Sequence, residues 1–180
     1  ETNRENLIFI LEILKRFKIK IKILFKTIQN FRGLKYRQQI IFKKKFLTII
    51  NDSKSTSFSS SIGVLKVHSN IHWLLGGIHK KGDKFNLPKT YFKNIKAYVY
   101  GKNRKFFNKK LKGKIDYKNF NNLKNALKEV LSIVKKDKFS NKKIIFSPCA
   151  ASFDSFKNFE DRGLYFNKLI KNYVLKRKVF

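Results

Sequence analysis

Three short segments of the chain combine charged, hydroxyl and small residues that could hold a small anion. The first is NDSKSTS at residues 51–57, where Asp52, Lys54 and several hydroxyls come directly before a predicted helix. The free N–H groups and the dipole at a helix start attract anions. Asp52 or Ser53 could equally serve only as the cap of that helix, so this segment alone leaves both interpretations open.

The second segment is GGIHKKGD at residues 76–83. Its paired glycines would let a ligand approach the backbone, and Lys80 or Lys81 could pair with a carboxylate or phosphate. Gly77 and Gly82 have the spacing of a nucleotide phosphate loop, but Asp83 and Lys84 stand where that loop needs Lys-Ser/Thr, so we reject that match. A plain turn with two solvated charges is the alternative.

The third segment is SPCAASFDSFKNF at residues 147–159. Its small side chains leave room for a ligand, and we expect Ser152 with the following amides to receive an anion at a helix start. The three segments also hold much of the chain's scarce acidity, which favours specific binding or capping roles for these residues: Asp52, Asp83, Asp154, Glu160 and Asp161.

Other chemistry has little support in the sequence. His68, His72 and His79 share no metal-ligand spacing with one another or with the acidic residues, so we expect no metal site. Cys149 is the only cysteine and has no evident histidine partner, so neither a disulfide nor a cysteine nucleophile is indicated. We expect no catalytic residue within this chain.

The surrounding pattern alternates strands with helices. Apolar, β-branched runs predict strands at residues 37–42, 46–51, 71–77, 97–101, 114–117 and 144–148, and helical spacing predicts helices at 6–17, 58–67, 122–135 and 156–173. Residues 17–31 show both patterns and leave their boundary open. The alternation predicts an α/β fold, a Rossmann-like three-layer domain on a mostly parallel sheet. Each candidate segment follows a predicted strand, where such sheets bind ligands.

The composition is strongly basic, with 43 Lys and Arg residues against 11 Asp and Glu residues and a net charge of +32. Lysine predominates over arginine and is spread along the chain, which favours a general compositional bias over a nucleic-acid-binding face. A basic nucleic-acid-binding module with stacking phenylalanines is kept as the alternative. The apolar run LIFILEIL contains Glu12 and is far shorter than the roughly 20 residues of a membrane span. We expect no membrane and no specific nucleic acid as partner.

Together the three segments resemble motifs of the Mur ligase family of peptidoglycan synthesis, specifically its UDP-N-acetylmuramoyl-L-alanine:D-glutamate ligases. NDSKST resembles that branch's NDSKAT, where sister Mur ligases have other segments, and GG...K and SPCAASFDSFKNFEDRG resemble its next two motifs in the same order. The resemblance covers nearly the whole chain. It implies that residues 1–33 are the helical end of an incomplete central ATP-binding domain and residues 34–180 the D-glutamate-binding carboxy-terminal domain, with a hinge at about residues 33–38.

The resemblance implies an ATP-dependent acid–amino-acid ligase that uses Mg²⁺. ATP phosphorylates the carboxylate of UDP-N-acetylmuramoyl-L-alanine, and the amine of D-glutamate attacks the resulting acyl phosphate. By motif position, the D-glutamate-binding residues would be Lys54, Thr56, Lys80, Ser152 and the backbone at Phe159. The residues near ATP would be Asn3, Asn6, Arg37 and Asp52. The chain departs from the family pattern at Thr2, Tyr36 and Ser57, which replace His, His and Asn.

The chain contains no phosphate loop of the type G-x-x-x-x-G-K-[ST], no catalytic magnesium ligands and no uridine-nucleotide domain, all of which the full enzyme requires. We therefore expect these 180 residues alone to be inactive and to bind no cofactor by themselves. The resemblance also implies a monomeric, cytoplasmic bacterial protein. Its expected partners are the amino-terminal and central domains of the family and three small-molecule substrates: D-glutamate, ATP and UDP-N-acetylmuramoyl-L-alanine.

Overall fold

A computed structural model describes residues 2–31, 33–136 and 140–175, with side chains from residue 6 onward. The chain divides into two compact units, Glu1–Gly33 and Leu34–Phe180. The first unit consists of two helices, α1 (Thr2–Arg16) and α2 (Ile21–Asn30). The strand-like alternation after Phe17 is therefore overridden, and residues 21–30 form a helix.

The second unit is built on one six-stranded sheet. Its strands are β1 (Gln39–Lys44), β2 (Leu47–Asn51), β3 (Ile71–Gly76), β4 (Ile95–Tyr100), β5 (Asp116–Phe120) and β6 (Lys142–Phe146). The strand order is β1-β2-β6-β3-β4-β5. β1 pairs antiparallel with β2 as a hairpin, and all other neighbours are parallel. Short runs of β-branched and aromatic residues form the central strands, which are buried on both faces.

Helices cover both faces of the sheet. They are α3 (Phe58–Lys66), α4 (Arg104–Leu111), α5 (Leu123–Lys136) and α6 (Phe159–Ile170). Alternate residues of β3 point to opposite faces: Trp73 packs in one core with Phe58 of α3 and Phe107 of α4, whereas Leu74 packs in the other core with α5 and α6. This helix–sheet–helix arrangement confirms the predicted α/β three-layer fold on a mostly parallel sheet.

Some elements differ from the sequence expectations. α4 was not predicted, because lysines dominate its sequence and only Phe107 and Leu111 face the core at helical spacing. A short 3-10 helix, Lys89–Asn94, precedes β4. β5 begins two residues later than expected and lies at the sheet edge, where half-exposed residues give a weak strand pattern. The last helix is α-helical only to Ile170 and continues as a π-helix, Lys171–Leu175.

Many large apolar side chains of the first unit are exposed, among them Phe9, Phe17 and Phe25. No residue of α2 is buried. Among the helices that the structure describes, none has both the length and the apolar character needed to cross a bilayer.

Candidate functional site

The sheet order brings the three candidate segments to one edge. We define the first loop as residues 52–57, the second as residues 77–88 and the third as residues 147–158. They follow β2, β3 and β6, and β6 lies between β2 and β3 in a parallel array. The carboxyl ends of the three strands therefore meet at the same edge, where open parallel sheets place ligands.

Asp52 joins the first loop to the third. Its carboxylate accepts hydrogen bonds from the Ser147 hydroxyl at 2.8 Å and from the backbone N–H of Gln38 at 3.1 Å. Burial raises the pKa of Asp52 from 3.8 to about 6, against the lowering effect of these hydrogen bonds and of Arg37. The carboxyl group thus braces two loops and titrates close to neutral pH.

Arg162 of α6 is the buried cation at the centre of this edge, with 1% of its surface exposed. Its guanidinium donates to the Ser53 carbonyl at 2.8 Å, the Ser53 hydroxyl at 3.1 Å and the Ala150 carbonyl at 2.9 Å. Ser53 in turn donates to the Phe159 carbonyl at 2.8 Å. One side chain therefore fixes the first loop, the third loop and the start of α6 relative to one another.

The second loop is tied to both of its neighbours. Ile78 and Ala151 exchange two backbone hydrogen bonds, at 3.0 and 2.8 Å, which join the second loop to the third. The carboxylate of Asp83 accepts the N–H of Phe58 at 2.6 Å, which joins it to the first turn of α3. Asp83 thus occupies the start of α3 as a capping anion.

A buried chain of hydroxyl groups runs beneath the first and third loops. The Ser61 hydroxyl lies 2.6 Å from those of Ser55 and Ser147, and the Cys149 thiol donates to it at 2.8 Å. Cys149 is fully buried with a φ of 56°, and burial raises the pKa of its thiol well above its ordinary value. The indole of Trp73 also donates to the Ser147 carbonyl at 2.8 Å, which fixes the end of β6.

Comparison with known proteins identifies relatives of this chain. No family model matches the chain. A protein named UDP-N-acetylmuramoylalanine–D-glutamate ligase from Francisella tularensis subsp. tularensis (strain FSC 198) is 37% identical over 174 residues, which are 94% of this chain and 41% of that relative. Relatives of the same name from the subspecies mediasiatica (strain FSC147) and novicida (strain U112) are 36% and 35% identical over the same shares.

The chain is related by sequence to these proteins. It corresponds to the carboxy-terminal part of the relatives and spans 41% of their length. The resemblance of its three loop motifs to the D-glutamate-adding branch of the Mur ligase family is thereby confirmed.

The residues expected at D-glutamate lie around this edge in different settings. Lys54 is half-buried, with its ammonium group 3.9 Å from the centre of the Phe159 ring. Thr56 and Lys80 are exposed. Lys80 lines a cleft of about 340 Å³ together with Ser57, the neighbour of Thr56. Ser152 is buried, and the described residues that line the cleft do not include it.

The expectation that Ser152 and the following amides lie at a helix start is wrong. Its carbonyl accepts the N–H groups of Ser155 and Phe156 in a turn. α6 begins only at Phe159, where Asn158 caps it by accepting the N–H of Asp161 at 2.7 Å. The first helical amides therefore lie seven residues beyond Ser152.

The paired glycines are needed by the protein backbone itself. A Cβ atom on Gly77 would lie 2.5 Å from the Ala151 carbonyl oxygen, and one on Gly76 would collide with the Tyr100 carbonyl. Both glycines also have positive φ angles, 154° at Gly76 and 130° at Gly77. They permit close approach between strands and loops. This packing accounts for the paired glycines without the ligand contact that the sequence suggested.

The residues expected near ATP fall in both units. Asn3 and Asn6 belong to α1; Asn6 is exposed, and the side chain of Asn3 lies outside the described residues. Arg37 is exposed and Asp52 is buried in the second unit. Among the residues that the structure describes, no group of three or more His, Cys, Asp or Glu side chains could hold a metal ion.

Two contributors to this edge escaped the sequence analysis. Arg162 was given no role, although it precedes Phe166 by four residues and so shares the buried stripe of α6. Tyr36 was considered only as a departure from the family pattern, but its ring packs against Gly163 of α6 and its carbonyl accepts the N–H of Lys54 at 3.0 Å. The helical spacing could have identified Arg162; no local signal marks Tyr36.

Proposed function

We propose that this chain is the D-glutamate-binding part of an ATP-dependent ligase that adds D-glutamate to UDP-N-acetylmuramoyl-L-alanine in bacterial peptidoglycan biosynthesis. The single observation that carries the proposal is the convergence of three family motifs at the carboxyl edge of one sheet, in a chain related to proteins named for that reaction. Its location would be the cytoplasm, where the nucleotide-linked substrates are available.

The chemistry proceeds in two steps in the whole enzyme. The γ-phosphoryl group of ATP is transferred to the carboxylate of UDP-N-acetylmuramoyl-L-alanine, with Mg²⁺ neutralising the phosphate charge. The amine of D-glutamate then attacks the carbonyl carbon of the acyl phosphate, and the tetrahedral intermediate expels phosphate to leave an amide. The task of this chain is to hold D-glutamate so that its amine meets that carbon.

D-Glutamate carries two carboxylates, so its site needs cations and hydroxyl donors on opposite sides. Lys80 and Thr56 would supply an ammonium and a hydroxyl to one carboxylate; the second loop, which holds Lys80, is joined to the start of α3 through Asp83. Ser152 and the backbone N–H of Phe159 would supply donors to the other carboxylate, and the Lys54 ammonium, 3.9 Å from the centre of the Phe159 ring, would add a positive charge. Charge-assisted hydrogen bonds of this kind are the strongest available to such a ligand.

On the nucleotide side we propose Asn3 and Asn6 beside the adenine, Arg37 near the nucleotide and Asp52 as acceptor for a ribose hydroxyl. Each carboxylate oxygen of Asp52 already accepts one hydrogen bond and has a further lone pair to offer. ATP and Mg²⁺ would be bound by the whole enzyme, because the P-loop motif is not present in these 180 residues.

The test is a substitution in a ligase that joins this chain to the amino-terminal part found in its relatives. Lys80→Ala should raise the KM for D-glutamate by roughly tenfold or more while leaving the KM for ATP nearly unchanged, because it removes a charge-assisted contact to one substrate. Lys66→Ala removes the same charge from an exposed position in the last turn of α3, which does not line this cleft, and is the matched control. Equal losses for ATP and D-glutamate would contradict the assignment.

The 180-residue chain alone should bind D-glutamate weakly, because the sites of this family close between domains.

A further inference from the structure

The side chain of His79 lies face to face with a ring of α4. His79 is in the second loop, directly before Lys80, and its imidazole stacks on the Phe106 ring with 3.9 Å between the ring centres and 15° between the planes. Aromatic pairs in proteins commonly have ring centres roughly 4.5–7 Å apart, so this contact is close. Neither residue is among those expected at D-glutamate. The stack is therefore a contact between the second loop and α4 to which the proposed function gives no role.

The Phe106 ring is held in turn by the hydrophobic core. It meets the Phe107 ring edge-on, with ring centres 5.5 Å apart and an angle of 86° between the planes. Its centre also lies 6.4 Å from that of the Phe58 ring of α3. Phe58 and Phe107 are fully buried. Through Phe106, the imidazole of His79 is thus attached to a closely packed part of the second unit.

The second loop is held on both sides of Lys80. On the carboxyl side, Asp83 donates its N–H to the Lys80 carbonyl at 3.2 Å, and its carboxylate binds the start of α3. On the amino side, the side chain of Asn103, directly before α4, donates to the Gly77 carbonyl at 3.2 Å, and the stacked ring of His79 follows two residues later. Lys80 itself is exposed. The contacts of its neighbours therefore set the position of its backbone.

The imidazole acts in this contact through its face. Its Nδ1 atom is buried and has no hydrogen-bond partner among the residues that the structure describes. A buried polar atom without a partner costs free energy, so the stabilising contribution of His79 comes from the stacked ring. A ring without nitrogen atoms should serve equally well in this place.

We propose that His79 is a positioning residue for D-glutamate and that it acts by stacking on Phe106, which holds Lys80 in its binding position. This inference rests on the proposed role of Lys80 at D-glutamate. Without the stack the loop would populate other conformations, and apparent affinity falls in proportion to the fraction of molecules that can bind. The free energy of one aromatic pair corresponds to a factor of roughly two to ten in that fraction.

The test uses the ligase that joins this chain to the amino-terminal part found in its relatives. His79→Ala should raise the KM for D-glutamate by roughly two- to tenfold and leave the KM for ATP nearly unchanged. His79→Phe retains a stacked ring and should keep both constants close to their original values. His68→Ala is the matched control, because His68 is also half-buried but precedes β3 at the opposite end of the sheet. An increase for His79→Phe equal to that for His79→Ala would overturn the proposal.

A second substitution separates positioning of Lys80 from a general structural effect. In a Lys80→Ala background, His79→Ala should raise the KM for D-glutamate no further, because the side chain that it positions is absent. A further increase of the same size would overturn the proposal. If Lys80→Ala raised this KM and His79→Ala did not, the inference about His79 alone would fail. If Lys80→Ala left it unchanged, the proposed D-glutamate site would fail as well.

NMR of the 180-residue chain checks the stack itself. Protons above the face of an aromatic ring are shielded, so the His79 ring protons should lie upfield of their positions in a Phe106→Leu variant. The His68 ring protons should not differ between the two chains. Equal His79 positions in both chains would show that the stack does not form and would overturn the proposal, whatever the kinetic results.

Discussion

At the scale of single residues, the proposed site is held by two ionisable side chains that are almost entirely buried. Asp52 has 5% of its surface exposed and Arg162 has 1%. Neither forms an ion pair with the other or with another described residue. The salt bridge among the described residues joins Lys118 and Glu129. Each is instead satisfied by backbone and hydroxyl groups of the loops, so each charge contributes to the position of those loops.

The raised pKa of Asp52 predicts a specific pH dependence of stability. Because its pKa is about 6 in the folded chain and about 4 in an unfolded one, the folded state binds more protons between these values. The free energy of unfolding should therefore fall as the pH rises from 4 to 6, by up to about 3 kcal/mol. Asp52→Asn should remove this part of the pH dependence.

Urea unfolding of the original chain and of Asp52→Asn at pH values from 4 to 8 measures the effect. The difference between the two curves cancels the contributions of other carboxylates. A difference that does not change with pH would contradict the assigned cause.

Arg162 should be the most costly polar side chain of this edge to replace. Arg162→Met leaves the Ser53 and Ala150 carbonyls without their buried donor and should lower the free energy of unfolding by about 3 kcal/mol. Arg104 is a matched control, because it is only half-buried and donates to one backbone carbonyl, that of Phe120 at 2.8 Å, and to the exposed side-chain oxygen of Asn121 at 3.3 Å. Arg104→Met should cost about 1 kcal/mol. Similar losses for both variants, measured by urea unfolding, would show that burial at Arg162 carries no special weight.

At the scale of elements, α6 is positioned by a close contact with the segment that precedes β1. The ring of Tyr36 packs where Gly163 has no side chain, and a Cβ atom there would lie 2.7 Å from the ring atom Cγ. Asn51 at the end of β2 adds a hydrogen bond to the Gly163 carbonyl at 2.9 Å. The glycine is therefore required by packing and not by helical conformation.

A double-mutant cycle separates the packing of Gly163 against Tyr36 from the effect of glycine on helix stability. Gly163→Ala alone should destabilise the chain by about 1–3 kcal/mol, because the added methyl group displaces the Tyr36 ring. In a Tyr36→Ala background the same change should stabilise it by up to about 1 kcal/mol, since alanine is the better helix former. Thermal or urea unfolding measures both changes. If Gly163→Ala changed the free energy of unfolding with the same sign in both backgrounds, the contact with Tyr36 would not be the cause.

Most elements could be predicted from local patterns, but their assembly could not. The β1–β2 hairpin and α5 follow directly from alternating and helical spacing of apolar residues. The insertion of β6 between β2 and β3 pairs residues that are far apart in the sequence, such as Leu47 with Lys142 and Ile71 with Lys143. Strands buried on both faces carry no pattern that selects a neighbour. The three loops could be placed at one edge because parallel strands end together. Which side chain of each loop faces which neighbour depends on contacts such as those of Arg162, which the sequence does not mark.

At the scale of the whole molecule, the charge of +32 raises the alternative of a nucleic-acid-binding module. Acidic residues are few, and several of them are used within the fold: Asp83 caps α3 and Asp52 braces two loops. The lysines that the structure describes lie largely at exposed positions of helices, strands and turns. Spread in this way over the residues that the structure describes, the lysines create a general positive field.

A salt titration with a short DNA duplex tests that view. At about 20 mM salt we expect binding through counterion release, and at about 150 mM salt we expect it to disappear, because a diffuse field makes few simultaneous phosphate contacts. Fluorescence anisotropy of labelled DNA measures both conditions. Affinity that persists in the micromolar range or tighter at 150 mM salt would favour the nucleic-acid module.

The placement of Cys149 gives the chain an intrinsic reporter of loop opening. The thiol is enclosed between β6, α3 and the third loop, and burial keeps it protonated. Only the thiolate reacts with alkylating reagents, so modification has to wait until the surrounding loops separate and admit water. With no second cysteine in the 180 residues to contribute a signal, the labelling rate measures how often this edge of the sheet comes apart.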